Sequence, residues 1–174
     1  IIMSKIDFSD INVPELIADM WEPLTKEQRE YLSDHFTIQN FKKNEVVHFE
    51  GETPTHLMCL LTGKVKIYKE GVGGRSQIIR MMKPVEYFGY RAYFSEQAYV
   101  TAAAAFEPSV ICLIPMTVIT KLIRQNNDLA MFFIKQLSND LGMSDTRTVN
   151  LTQKHIRGRL AESLLFLKES YGIE

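Results

Sequence analysis

The chain has 174 residues, 45% of them hydrophobic, with 20 basic residues against 21 acidic ones and two cysteines. That length buries one sizeable core with a little left over, and a net charge of -1 leaves no overall electrostatic footprint for nucleic acid or an anionic membrane. Cys59 and Cys112 each sit inside an apolar run, too few for an iron–sulfur cluster or a structural zinc site, and fit reduced core thiols of a soluble, cytoplasmic protein.

Residues 1–24 read as an N-terminal arm. Thr25 followed three residues later by Gln28 predicts a capping box and a short helix reaching about His35. From Phe36 to Pro115 the signals change to short strands, over residues 46–49, 57–61, 64–69, 77–82, 99–106 and 109–114. Lys64 to Lys69 alternates polar with apolar, as a strand of an antiparallel sheet with one wet face does. Gly71-Val72-Gly73-Gly74 lies between two strands with no helix after it, so it reads as a hairpin turn and not as a phosphate loop. The sum is a mainly β fold with added helices, an antiparallel β-roll or jelly-roll over residues 25–116.

After Pro115 the period becomes helical. A short helix around Thr117 to Gln125 precedes a long one, for which Asn127 is the expected cap. Along the long helix Ala130, Ile134, Leu137, Leu141, Ser144, Thr148 and Leu151 recur at alternating spacings of three and four, and the heptad seam continues to His155. A seam so long and narrow predicts pairing with its own copy in a homodimer. The competing reading is an amphipathic helix lying on its own domain. Gly142 lies inside this helix, where glycine costs about 1 kcal/mol relative to alanine; it marks either a close approach or a neutral accident.

Residues 154–174 open with the basic turn Lys154-His155-Ile156-Arg157-Gly158-Arg159 and continue as a helix with Ile156, Leu160, Leu164, Leu167 and Tyr171 on one side. That stripe needs a cover, so a further domain is expected beyond Glu174. The predicted order is arm, sensor, residues 117–153 as dimer helices, then a hinge. No metal triad of the cupin type and no nucleophile signature is present, and no enzymatic activity is expected.

Three stretches carry a resemblance. Phe49-Glu50-Gly51-Glu52 with Leu60-Leu61-Thr62-Gly63-Lys64-Val65-Lys66-Ile67 resembles a strand, a Ser/Thr-Gly corner and a strand. Lys83 to Gly89 with Phe106 to Val110 resembles the strands that flank an effector pocket. Arg147 to Asn150 with His155 to Glu162 is similar to the end of a dimer helix followed by the first helix of a DNA-binding domain. In this order they resemble the Crp/Fnr-type transcription regulators, from Thr25 onward. The resemblance implies a cyclic-nucleotide-binding-like roll, a homodimer, a small-molecule effector and DNA contact through a downstream winged helix-turn-helix. A stand-alone sensing module is the alternative if no such domain follows.

The resemblance also marks departures. Where cyclic-AMP binders of that family have Gly-Glu, this chain has Gly89-Tyr90; where they have Arg-Ser, it has Tyr99-Val100, with Arg91 out of register. A buried phosphate without its arginine loses a charge-assisted partner, so cyclic AMP is not expected as the effector. The segment is aromatic instead, making Tyr87, Phe88, Gly89, Tyr90, Arg91, Tyr99 and Val100 effector-pocket candidates, with Met143 and Ser144 joining them by alignment. The rings either line a site for a planar ligand or fill the cavity themselves. A haem sensor of the same family is the cofactor alternative, since four histidines and eight methionines are available as axial ligands.

Overall fold

The computed structural model describes residues 12–71, 73–74, 76–153 and 156–171. It divides into two compact units, one ending at Asn126 and one beginning at Asn127.

In the first unit, the arm contributes two short helices, α1 (Val13–Leu16) and α2 (Ala18–Trp21), with Val13, Ile17, Met20 and Leu24 buried. Helix α3 (Lys26–Ser33) begins with the expected capping box: the Gln28 amide donates to the Thr25 hydroxyl (3.3 Å) and the Thr25 amide donates to Gln28 Oε1 (3.1 Å). These bonds satisfy amides that a helix start otherwise leaves open.

Eight strands follow: β1 (Thr37–Phe41), β2 (Val46–His48), β3 (His56–Thr62), β4 (Val65–Glu70), β5 (Ser76–Met82), β6 (Tyr87–Phe88), β7 (Ala102–Ala105) and β8 (Ser109–Pro115). They form two four-stranded antiparallel sheets, β1-β8-β3-β6 and β2-β7-β4-β5. Strand β1 is polar at three of its five positions, which hid it in the sequence. Strand β7 is shorter than predicted, because Tyr99 to Thr101 leave the ladder before its four alanines begin.

The central strand β3 has side chains buried on both of its faces. One face gives Met58 and Leu60 to a core with Phe41, Val65, Met82, Phe88, Tyr99, Ala103, Ala105 and Ile111. The opposite face carries Leu57, Cys59 and Leu61, all buried, and helix α5 (Met116–Gln125) packs on β3 and β8. Cys59 lies directly across from Cys112 on one side and Tyr87 on the other. Burial pushes both thiols up, Cys112 to about 12, so they remain protonated core groups.

Two corners set the register. At Thr62-Gly63 the chain turns with Gly63 at φ +88°. At Lys83-Pro84-Val85-Glu86 the Glu86 amide donates to the Lys83 carbonyl (3.2 Å) and Val85 donates to Leu60 (2.7 Å), with Val85 at φ +69°. A β-branched side chain in the left-handed region is strained by about 1–2 kcal/mol. Val85 is 39% exposed, so its replacement forfeits little packing. Val85→Gly is therefore expected to stabilise the protein by about 1 kcal/mol, after the greater chain entropy of glycine is counted. A urea midpoint at or below that of the wild type would contradict this account of the turn.

In the second unit, α6 (Asn127–Gln153) runs 27 residues and α7 (Ile156–Tyr171) runs 16. Asn127 is itself the first helical residue, not the expected cap; the preceding Asn126 instead donates its amide to the Pro23 carbonyl (2.9 Å) and to Gln28 Oε1 (2.8 Å). Leu129 and Phe133 are buried, whereas Met131, Ile134, Leu141, Met143 and Val149 are exposed. A methyl group at Gly142 would meet nothing within 4 Å, so no close approach by the described chain explains this glycine. Lys154 and His155 of the basic turn lie outside the described residues, as do the side chains of Leu151, Ile156, Arg159, Leu167 and Tyr171. Leu160, Leu164 and Leu165 of α7 are exposed. Among the described residues, no helix is long and apolar enough to cross a membrane.

Candidate functional site

Strand β6 has only two residues, and because successive side chains point to opposite faces, its two rings part company. Phe88 pairs with Met58 and enters the core between the sheets. Tyr87 pairs with Cys59 on the other face, where burial pushes its phenol well up. Gly89 then turns the chain into α4 (Tyr90–Phe94) at φ +87°. A Cβ at Gly89 would lie 2.5 Å from Met58 Cε, 3.0 Å from the His56 carbonyl oxygen and 3.2 Å from the Tyr99 hydroxyl. Only glycine fits here, on grounds of both backbone and space.

On α4, Tyr90 and Ala92 are buried and Arg91 is exposed. The Tyr90 and Tyr93 rings each meet Phe94 edge-on, at 6.4 and 5.9 Å between centroids. The hydroxyls of Tyr93 and Thr120 lie 3.4 Å apart, and Thr120 donates to the Met116 carbonyl (2.8 Å).

Tyr99 arrives from the opposite side. Its amide donates to the Glu52 carbonyl (2.9 Å) and its carbonyl accepts from the Gly51 amide (2.8 Å), which pins the backbone. Its ring stacks on the His48 imidazole, with centroids 3.8 Å apart and planes 23° from parallel. The hydroxyl rests against Gly89. Burial pushes the Tyr99 phenol up to about 12, and the Glu52 carboxylate adds to the shift. The next residue, Val100, is exposed; its carbonyl accepts from Lys69 Nζ (3.2 Å), which also pairs with Glu50 (3.0 Å).

His48 is 7% exposed, and its Nδ1 has no hydrogen-bond partner. Burial depresses its pKa to about 4, against the pull of the Phe49 backbone and of Glu52, so the ring is neutral at pH 7. Among the described residues, the buried polar side chains other than tyrosines are His48 and Ser109, and neither Lys nor Arg is buried. The interior thus offers aromatic faces, aliphatic side chains, the methionines Met58 and Met82 and one neutral imidazole. Among the described residues it holds no cation of the kind a buried anion requires.

Residues 38–126 match the family model of the cyclic nucleotide-binding domain. The chain belongs to the cyclic nucleotide-binding domain family. Within that family it is a Crp/Fnr-type member, as its relatives indicate. It is 26% identical over 139 residues to the cAMP-activated global transcriptional regulator CRP of Pasteurella multocida, covering 79% of this chain and 66% of that one. It is 31% identical over 109 residues to an uncharacterized protein of Haemophilus influenzae, covering 62% of this chain and 84% of the relative. Among solved structures it resembles a transcriptional regulator from Thermotoga maritima, with a TM-score of 0.62 at 26% identity over 72% of this chain and 98% of the other. The chain thus spans less than two thirds of the length of the Pasteurella regulator.

In this cyclic nucleotide-binding domain, the candidates fall into separate groups. Phe88, Gly89 and Tyr99 converge, Tyr90 is buried on the adjoining helix, and Arg91 and Val100 face solvent. Tyr87 serves the opposite face of its sheet. Met143 and Ser144 belong to the second unit and are exposed there. Sequence reasoning missed His48 and Met58 as companions of Tyr99. The signal for His48 was present: it ends a strand after Val46-Val47, where a buried position follows from the alternation, but a bulge between Val46 and His48 alters the register.

Proposed function

We propose that this chain is the sensor and dimerisation part of a cytoplasmic, Crp/Fnr-type transcription regulator that answers to an uncharged small molecule and not to cyclic AMP. The observation that carries the ligand class is Tyr99, which stands where a phosphate-binding arginine is expected and places a neutral ring against His48 and Gly89. An anion taken into that interior would have no cationic partner among the buried side chains.

Dimerisation is assigned to α6. Ile134 and Leu141 are more than half exposed and stand one heptad apart, with Ala130, Leu137, Ser144, Thr148 and Leu151 completing the seam. Leaving Ile134 and Leu141 in water is unfavourable, and pairing with a second copy removes them from solvent. The DNA reader is assigned to a domain following the basic turn, and dimer symmetry then demands an operator of two half-sites. A ligand shifts such a protein only by preferring one arrangement of the pair; moving the population from mostly off to mostly on takes about 5.5 kcal/mol of preference.

Selection of bound fragments from random duplex DNA, with the full-length gene product, tests this reading. Wild type is expected to enrich an inverted repeat, while L137K/L141K sediments as a monomer and enriches none. A variant that still sediments as a dimer would remove the seam, and failure of the wild type to enrich any sequence would remove the regulator.

A further inference from the structure

Cys59 of β3 and Cys112 of β8 stand directly opposite each other, on the face of their sheet that carries Leu57 and Leu61, and both are 0% exposed. The ladder tells how wide that pair is. The Met116 amide donates to the Thr55 carbonyl (2.9 Å), and hydrogen-bonded pairs of an antiparallel ladder recur at every second position, so Leu57 with Ile114 and Cys59 with Cys112 are pairs of the same kind. On the other edge of β3 the Leu60 amide donates to the Glu86 carbonyl (3.1 Å), as that alternation requires. A hydrogen-bonded pair is the wide one, with Cα atoms about 5.5 Å apart and Cβ atoms towards the upper end of about 4.5–5.5 Å. A disulfide needs its Cβ atoms about 3.5–4.5 Å apart, so closing one here would strain the ladder. Both cysteines are free. An ion between the sulfurs suits the wider gap, because metal–thiolate bonds of about 2.3 Å give a straight S–metal–S bridge of about 4.6 Å.

We infer that Cys59 and Cys112 form a two-coordinate site for a soft divalent metal ion, mercuric ion being the type. Softness follows from the thiolate ligands. Two-coordination follows because, among the described residues, no group of three His, Cys, Asp or Glu side chains can hold a metal ion. Zinc, which takes four ligands, is thereby rejected. The charge follows from burial. Two thiolates around a divalent ion make a neutral unit, whereas around a monovalent ion they leave a negative charge in an interior with no buried Lys or Arg among the described residues. On binding, one metal–sulfur bond forms for each S–H bond that breaks, two protons leave to water, and nothing is oxidised or reduced. The site lies across the sheet from the core that holds Tyr99, and it does not depend on the sensor reading.

The test titrates the purified, reduced protein with mercuric chloride in excess glutathione, which offers the same ligand atoms in water, and reads native mass and thermal midpoint. Each chain is expected to gain one mercury in exchange for two protons, slowly, because neither sulfur is exposed, and the bridge between β3 and β8 is expected to raise the midpoint. Cys59→Ala and Cys112→Ala are each expected to hold mercury at least about tenfold more weakly, because the second thiol is then no longer held at high effective concentration. Silver(I), which leaves a negative charge on the buried pair, is expected to stay with glutathione. Mercury carried on one cysteine together with a glutathione, one mercury shared by two chains, or a midpoint that does not rise would overturn the site. Silver retained as well as mercury would overturn the selection by charge. Where an alanine variant does not fold, the wild-type mass decides alone: two protons lost per ion with no glutathione attached supports the bridge, and any other composition overturns it.

Discussion

Gly63→Ala is expected to cost on the order of 3–5 kcal/mol, enough to unfold a marginally stable domain. Two independent penalties combine. At φ +88° any side chain enters the left-handed region, and a Cβ would lie 2.5 Å from both the Pro108 carbonyl oxygen and Ser109 Oγ, and 2.8 Å from Ser109 Cα. Two of those atoms are backbone, so relief requires the start of β8 to move. That movement breaks a knot. The Lys64 amide donates to Ser109 Oγ (3.1 Å), that hydroxyl has the Glu107 carbonyl (2.8 Å) and the Lys64 carbonyl (3.1 Å) as acceptors, and the Phe106 amide donates to Lys64 (2.8 Å). Gly51→Ala is the control: its φ is +86°, yet a Cβ there meets nothing within 4 Å, so it should cost only about 1–2 kcal/mol. Urea unfolding of the two variants separates the terms. Equal midpoints would mean that backbone strain alone fixes the corner.

The same corner shows what could be read from the chain. The Thr62-Gly63 corner was legible through the family resemblance, and the Thr25–Gln28 spacing announced the helix start directly, because a capping box depends on neighbours within a few residues. The family resemblance and the order of strands rest on such local signals in succession. What escaped was set by partners far along the chain. Strand β1 is recognisable only through its pairing with β8, from Thr37 opposite Leu113 to Phe41 opposite Ser109. The aromatic run from Tyr87 to Tyr99 looked like a single lining. A two-residue strand sends Tyr87 and Phe88 to opposite faces, and α4 then carries Arg91 outward. The stack of His48 on Tyr99 joins positions 51 residues apart, a relation that spacing does not encode.

That stack gives the protein a pH dependence whose sign can be worked out. The His48 pKa falls from 6.5 to about 4 on folding, chiefly because burial disfavours the imidazolium. Below pH 6.5 the unfolded chain takes up a proton that the folded chain refuses, so stability declines as the pH drops and stops declining from this cause near pH 4. A gap of that size corresponds to about 3 kcal/mol in all. Tyr99 stays neutral throughout, being pushed up to about 12, and the Glu52 carboxylate, which favours the imidazolium, does not outweigh burial. His48→Phe keeps a ring on Tyr99 and removes the proton site. The wild type is therefore expected to lose stability faster than His48→Phe between pH 6.5 and 4, with parallel curves above pH 7. Urea midpoints across that range measure the difference, and superimposable slopes would mean that His48 is protonated in the folded protein as readily as in the unfolded one. The Tyr99 stack would then have to accommodate a buried charge, which neither Nδ1 without a partner nor the surrounding apolar core equips it to do.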